Sequence, residues 1–503
     1  MQLRQSQNLG LKDWEVKANM VNELVWFPTN KCLIDGAWVD SELNNEIELI
    51  NPSNGRLLSR IARASKNDVK NAISAASVAL EKTWGEKTAL ERGRILLKMS
   101  QLVIKYSKNL AHLESLDVGK PLSQAKNDVI ALARYLEFYG GAADKIHGMT
   151  IPFQNDFSVS CLRERLGVTA HIIPWNYPMQ IIGRSISASL AMGNACVVKP
   201  SEEACLTALA FGEIATEAGL PAGALNIIPG FGFEAGQALA ASKKVNHISF
   251  TGSLLTGISV QTAAAQNVVP TTLELGGKSP QIVFDDANLK RAIPFLVNAG
   301  IQNSGQTCSA SSRILVHETI YRDVVEKMSG MYKNLRVAPA IEDYDLGPVI
   351  SRRQMDIITS YQNKCSDLKL LAEGSLMEGT NNQGYYMSPK LFETENYRHS
   401  VAQEEIFGPI QIIIPFKNEQ EAIKIANSTD YGLVASVWTE NGSRQLRVAK
   451  AVKAGQIFVN NYGAGGGVEL PFGGIGRSGH GREKGFESLY SFSQLKTIAN
   501  FHG

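Results

Sequence analysis

Cysteine and histidine are both scarce in this chain, with 6 and 8 among 503 residues, and their placement excludes two classes of protein. Cys32, Cys161, Cys196, Cys205, Cys308 and Cys365 form no C-x-x-C pair and no dense framework, so a disulfide-stapled scaffold is excluded and reduced thiols are expected. The histidines are scattered without ligand-like spacing, and no metal is expected. Charge of one sign is missing too: 50 Lys+Arg stand against 48 Asp+Glu with no long like-charge run, which argues against a nucleic-acid or acidic-membrane partner. The chain also lacks a run of about 18 apolar residues, and Met1 to Asn8 contains no apolar signal core. Together these absences predict a soluble, cytoplasmic protein. Its 503 residues exceed one ordinary core and predict two or three domains.

What is present is alternation. Beyond a mixed-charge stretch over 1–30, read as a peripheral arm, Cys32 to Val39 has the strand, Gly36 turn and strand of a hairpin. Ser65 to Asp68 opens an Ala-rich helix, and helices dominate to Tyr139, where Gly140-Gly141 is expected to break them. Phe157 to Arg165 reads as a long extended segment. From Gly167, expected strands at 168–173, 195–199, 224–228 and 247–251 alternate with helices at 179–192, 206–218 and 236–241. That spacing predicts an α/β fold with a doubly wound, mostly parallel sheet whose strand ends bind nucleotides. A second α/β region is expected after Gly276-Gly277, and one closing strand between 488 and 497.

Two stretches organise the chain. Leu273-Glu274-Leu275-Gly276-Gly277-Lys278-Ser279-Pro280 and Gly305-Gln306-Thr307-Cys308-Ser309-Ala310 put a carboxylate and a cysteine, each near glycine, 34 residues apart. A thiolate nucleophile needs a base that later activates water on the acyl-enzyme, and small neighbours that admit substrate. Taken alone, the pair also reads as a helix-start glutamate and a buried structural cysteine.

Other motifs add weight. Pro174-Trp175-Asn176-Tyr177-Pro178, between a strand and a helix, sets the Asn176 amide where a donor could face an oxyanion, although Asn and Pro also make ordinary turns. Lys199-Pro200-Ser201-Glu202 closes the next strand; Lys199 and Glu202 suit ribose hydroxyls, and the acidic group favours NAD over NADP. The loose G-x-G-x-x-A match from Gly230 through Gly232 is weak. Phe250-Thr251-Gly252-Ser253, a strand end before a helix, is the better pyrophosphate site. In Glu404-Glu405-Ile406-Phe407-Gly408-Pro409, Glu405 offers a ribose ligand and Phe407 a ring to back a nicotinamide, while the Gly-rich 471–483 segment reads as a loop.

Taken in this order, the motifs resemble the aldehyde dehydrogenase superfamily from about residue 31 to the end. The resemblance implies a Rossmann-type cofactor domain plus an α/β catalytic domain with a small oligomerisation arm. The expected boundaries are 1–30 for the N-terminal arm, 31–139 with 161–275 for the NAD domain, 140–160 with 488–503 for the oligomerisation arm, and 276–487 for the catalytic domain. It implies Cys308 as nucleophile, Glu274 as general base, and Asn176 with the Cys308 backbone N–H as oxyanion hole. Trp175, Lys199, Ser201, Glu202, Gly232, Phe250, Gly252, Ser253, Glu405 and Phe407 are then the cofactor residues, with Phe472 near the substrate tunnel. A homodimer or homotetramer is implied as well.

Where many members carry Trp-Lys, this chain has Arg184-Ser185, which removes the usual relay partner of Glu483. Arg184, about two turns into the helix after Asn176, could pair with an acidic or phenolic substrate tail, as in semialdehyde dehydrogenases that carry Arg there. Some of those enzymes use a second Arg where this chain has Gln302, and aromatic-aldehyde members also carry the first. The expected activity is NAD-dependent oxidation of an aldehyde to a carboxylate, by hydrolysis, since coenzyme A-acylating relatives typically lack the glutamate. The alternatives are general aliphatic or aromatic aldehyde oxidation, or a non-catalytic NAD-binding protein on this fold.

Overall fold

The computed structural model describes residues 23–378, 380, 383–463 and 467–503. Most of the arm expected over 1–30 lies outside them. Its last residues are not a free arm: Leu24 and Phe27 are buried, and the Trp26 ring stacks on Tyr106 at 4.6 Å.

The first sheet has eight strands, in the spatial order Ala37–Val39, Cys32–Ile34, Leu225–Ile227, Ala195–Lys199, Val168–Ile172, His247–Thr251, Thr271–Glu274 and Gly479–His480. The five strands from Leu225–Ile227 to Thr271–Glu274 run parallel, and the flanking ones pair antiparallel. The central strands are buried on both faces, as in a parallel sheet covered by helices, although Val168–Ile172 and His247–Thr251 also bury Thr169, His171, His247, Ser249 and Thr251. Strand order reverses between Val168–Ile172 and His247–Thr251, so the crevice outside their carboxyl ends is the topological switch point.

Leu275 to Ser279 carries the chain into a second, seven-stranded sheet in the order Lys369–Glu373, Lys390–Glu393, Ile410–Phe416, Arg313–His317, Pro280–Val283, Val434–Trp438 and Gln456–Val459. A third sheet pairs Ser493–Phe501, Phe157–Arg165 and Met149–Ile151. Met149, Ile151, Phe153, Leu162, Leu495, Ile498 and Phe501 are exposed on and beside it.

Three expectations are corrected. Gly140-Gly141 does not end the helical region: the Leu122–Ala142 helix runs through it, so the expected boundary at 139/140 falls inside a helix. Gly140 packs against Gly93 of the Ala89–Lys105 helix, where an added Cβ would lie 3.0 Å from the Gly93 carbonyl oxygen. Here the glycine serves close helix approach, not a break. The closing strand starts later than expected. Gly485–Ser491 is a helix that buries Ser488 and Leu489, and Ser493–Phe501 is the strand. The 471–483 segment is paired rather than loose: Phe472 bridges Glu483, and Gly479–His480 adds an edge to the first sheet beside Glu274. No helix among the described residues is long and apolar enough to cross a membrane.

Candidate active site

Glu274 ends the Thr271–Glu274 strand at the carboxyl edge of the first sheet, and the residues after it cross to the second. Three hydrogen bonds, from two residues, clamp that crossing. The Leu275 N–H donates to Ser478 O (3.1 Å), Ser478 Oγ donates to Gly276 O (2.7 Å), and the Gly277 N–H donates to Glu405 Oε1 (3.0 Å). Each glycine marks a close approach. A Cβ on Gly277 would come within 2.5 Å of Cys308 O, and one on Gly473 within 2.8 Å of Glu274 Oε1. The nucleophile stretch, the base stretch and the 471–474 segment therefore meet at one point.

Cys308 is delivered by an unusual turn. After the Leu289–Ile301 helix, Asn303 (φ 48°), Ser304 (φ 56°) and Gly305 (φ 75°) are all left-handed. Two non-glycine residues in that region cost free energy that the surroundings must offset. The offset is visible. Asn303 Nδ2 donates to Asn176 O (3.0 Å), Gln306 Nε2 to Asn303 O (3.0 Å) and Ser304 Oγ to Gly347 O (2.7 Å). Asn176 Nδ2 donates to Gln306 O at 3.0 Å, which uses one of its two hydrogens and leaves the other for an oxyanion. Beside it the Tyr177 ring covers the buried Lys120 ammonium at 3.9 Å, which Glu114 and Asp128 hold by ion pairs.

The electrostatics suit a base. Both Glu274 oxygens are buried without a hydrogen-bond partner among the described residues, and burial, then the nearby Glu483 charge, pushes its carboxyl well above the usual range. Burial also pushes the Cys308 thiol up, to about 11, while Arg184 pulls it down. Cys308 alone among the six cysteines keeps part of its surface open.

Arg184 is 7% exposed and sits in a π-helical turn, Ile182–Ile186, which rules out a surface salt-bridge role. Its Nε pairs with Glu483, its Nη2 donates to Thr251 Oγ1 at 3.2 Å, and its guanidinium lies 4.9 Å over the Phe472 ring. Arginine thus takes the Glu483 partnership that the missing lysine left open. Gln302 is exposed at the end of its helix, and among the described residues no hydrogen bond of its side chain ties it to this cluster.

Most of the cofactor candidates lie at the carboxyl ends of the first sheet's strands, and Glu405 and Phe407 reach them from the segment before Ile410–Phe416 of the second sheet. Trp175 and Phe407 meet edge to face at 5.3 Å, with Phe407 at φ 56°. Lys199 Nζ lies 2.8 Å from Glu202 Oε2; Ser201 is buried in a bridge to Ala204. Gly232 opens a π-helical turn, Gly232–Gly236, and a Cβ there would meet nothing. Phe250 is buried beneath Gly252, and Ser253 caps the Leu254–Ala265 helix. Glu405 is enclosed enough that its carboxyl is pushed up to about 7. An enclosed carboxylate, a lysine-glutamate pair and a helix N-terminus around a switch point fit a dinucleotide.

Sequence reading missed Asn303, Gln306, Ser478 and Thr251. Asn303 and Gln306 sit within five residues of Cys308, but which amide faces which carbonyl depends on the left-handed turn.

Comparison with known proteins gives the family. The model of the Aldehyde dehydrogenase family matches residues 38–498. The mitochondrial aldehyde dehydrogenase family 2 member B4 of Arabidopsis thaliana is 39% identical over 484 residues, covering 95% of this chain and 89% of its own. A Burkholderia cenocepacia structure assigned provisionally as an aldehyde dehydrogenase is 51% identical, covering 94% of this chain and 100% of its own, with a TM-score of 0.93. Betaine aldehyde dehydrogenase of Staphylococcus aureus, solved with NAD+, is 33% identical at TM-score 0.93, covering 96% of both chains. The chain belongs to the aldehyde dehydrogenase family.

Proposed function

We propose that this aldehyde dehydrogenase oxidises an aldehyde with an acidic or phenolic tail to its carboxylate. The convergence of Cys308, Glu274 and Asn176 carries the reaction type. NAD is its cofactor, held by Lys199, Glu202, Ser253, Glu405 and Phe407, and it supplies the hydride acceptor. Cys308 gives its thiol proton to solvent as Sγ adds to the carbonyl carbon, the oxygen gaining charge against the second Asn176 hydrogen and the Cys308 N–H. The charge collapses back to a carbonyl as the aldehyde C–H is lost as hydride to the acceptor, leaving a thioester on Sγ. Glu274 then takes a proton from water as the hydroxide adds to the thioester and Sγ leaves. A base raised by burial is matched to that task.

A buried arginine supports the tail. Arg184 lies over the Phe472 ring, in the cluster that Cys308 packs against, and pairs with Glu483 through Nε; an arginine fork carries further N–H donors that suit an anionic oxygen. Arg184→Leu is expected to raise KM for a semialdehyde or hydroxybenzaldehyde roughly tenfold or more, as for losing a charged hydrogen bond, and much less for an aliphatic aldehyde of similar length. If all three KM values shift equally in a steady-state panel, Arg184 is structural and an ordinary aliphatic or aromatic aldehyde is the substrate.

Glu202 supports NAD over NADP. Its carboxylate, 2.8 Å from Lys199 Nζ, would lose hydroxyl contacts and repel a 2′-phosphate. Comparing kcat/KM should show NAD preferred roughly tenfold or more; equal efficiency means the loop admits the phosphate. The exposed apolar residues of the third sheet support assembly of a homodimer or homotetramer through it.

A further inference from the structure

Beneath the turn that carries Asn176 lies a buried group of charges that takes no part in the chemistry described above. Glu114 on the Ser107–Val118 helix and Asp128 on the Leu122–Ala142 helix both pair with the Lys120 ammonium. Lys120 and Glu114 are wholly buried, and Asp128 is 2% exposed. Lys120 Nζ donates to Glu114 Oε1 at 3.0 Å and to Asp128 Oδ2, and the Tyr177 ring lies over it at 3.9 Å. Two carboxylates and one ring face thus account for the three hydrogens of an ammonium. Thr207 Oγ1 donates to Glu114 Oε2 at 3.1 Å, and Ser115 Oγ donates to the Lys120 carbonyl at 2.8 Å, so the carboxylate and the turn are held in their turn. Burying three ionisable groups costs more than packing apolar side chains of similar volume, so stability alone does not account for them.

Their bonds lead to the active site along two lines. Gln180, in the short Pro178–Ile181 helix just after Asn176, donates through Nε2 to Asp128 Oδ1 at 2.6 Å. One turn before Asp128, on the same face of its helix, Gln124 Oε1 accepts from the Asn303 N–H at 2.9 Å. One helix therefore grips both the turn that carries the oxyanion amide and the turn that delivers Cys308. The two turns are also bonded to each other, since Asn303 Nδ2 donates to Asn176 O and Asn176 Nδ2 to Gln306 O. The result is a closed ring of contacts from the helix through Gln180 and Tyr177 to Asn176, on to Asn303, and back through Gln124.

We infer that Lys120 and Asp128 are positioning residues for the oxyanion hole: the ammonium seats the Tyr177 ring and Asp128 seats Gln180, which together fix the Asn176 amide against Cys308. The inference rests on Asn176 being the oxyanion donor. An oxyanion hole stabilises charge only when its donors already stand at hydrogen-bond distance from where the oxygen will be, and a displacement of about 1 Å costs on the order of 10²-fold in rate. A charge under an aromatic face, with both carboxylates fixed on helices, resists such displacement better than apolar packing, because any movement of the ring uncovers a buried ammonium.

The test is rapid-mix and steady-state kinetics on the full-length enzyme with NAD and an aldehyde it turns over, each substitution being made on wild type and on Asn176→Ala. Lys120→Met, Tyr177→Leu and Gln180→Met should slow the NADH burst and the steady state together, because acylation and hydrolysis both place charge on the same oxygen. The expected loss is on the order of 10²-fold for the first two and roughly tenfold for Gln180→Met, with NAD binding unchanged in calorimetric titration. Tyr177→Phe keeps the ring face and should stay within about twofold of wild type. On Asn176→Ala the same substitutions should cost no more than about twofold, since the amide they position is gone. Wild-type kinetics in Tyr177→Leu and Gln180→Met, or losses that add in full on Asn176→Ala, overturn the positioning role. Should Lys120→Met fail to fold, the other two variants decide alone. Asn176→Ala by itself separates the readings: if it turns over like wild type, the oxyanion assignment fails first, and if it is slow while the others lose nothing or lose independently, only the positioning role fails.

Discussion

Cys308→Ala is expected to abolish NAD reduction while leaving cofactor binding intact. Without Sγ no thiohemiacetal forms, and loss of a nucleophile typically costs on the order of 10⁴-fold or more. The fold should tolerate the change, because Cys308 is partly exposed and lies at the edge of a small apolar cluster of Leu433, Val434, Tyr462 and Phe472. Absorbance at the NADH band gives the activity, and calorimetric titration with NAD gives the binding. Activity near wild type would remove Cys308 from the mechanism. The same residue should dominate alkylation of the native protein, since the other five cysteines are buried. Slow, unselective labelling would favour a non-catalytic NAD-binding protein on this fold.

Glu274→Gln should separate the two halves of the reaction. Gln keeps the shape but cannot accept a proton, so acylation survives and thioester hydrolysis slows by roughly 10²–10⁴-fold. Rapid mixing with excess aldehyde should show an NADH burst and then a slow steady state; an unchanged steady-state rate excludes the role. The pH dependence follows from the same residue. The Glu274 carboxyl is raised by burial and by Glu483, and only the carboxylate accepts a proton, so hydrolysis should increase as pH rises through a pKa above the ordinary carboxylate range. Glu274→Gln should lose that acid limb. A limb at an ordinary carboxylate pKa, or one that persists in the variant, would assign it to another group.

Much of the architecture is written in local pattern. The His247–Thr251, Ala195–Lys199 and Phe157–Arg165 strands and the Leu206–Ala218 helix coincide with their sequence expectations, because apolar runs between turn residues leave one solution each. Ser65 and Asp68 form the reciprocal cap that opens the Lys66–Glu81 helix. Failures came where a local signal served a distant partner. Gly140 reads as a breaker, yet it lets two helices touch; the glycines of 471–483 read as flexibility, yet they let a short strand pass over Glu274.

The candidate site divides the same way. Residue types near Cys308, Glu274 and Asn176 are legible because a nucleophile, a base and an amide need particular chemistries beside small neighbours. Arg184 shows the limit: its place two turns beyond Asn176 is readable, but its burial against Phe472 and its pairing with Glu483, 299 positions away, are not. Sequence by itself determined most of the elements and the family, since these follow from local periodicity and motif. Only the tertiary structure decided which charge neutralises which, that Glu274 stands buried with no hydrogen-bond partner among the described residues, and that Ser249 reaches Glu483, 234 positions away. Those facts depend on contacts between residues hundreds of positions apart, and on the low-dielectric surroundings that make each contact count.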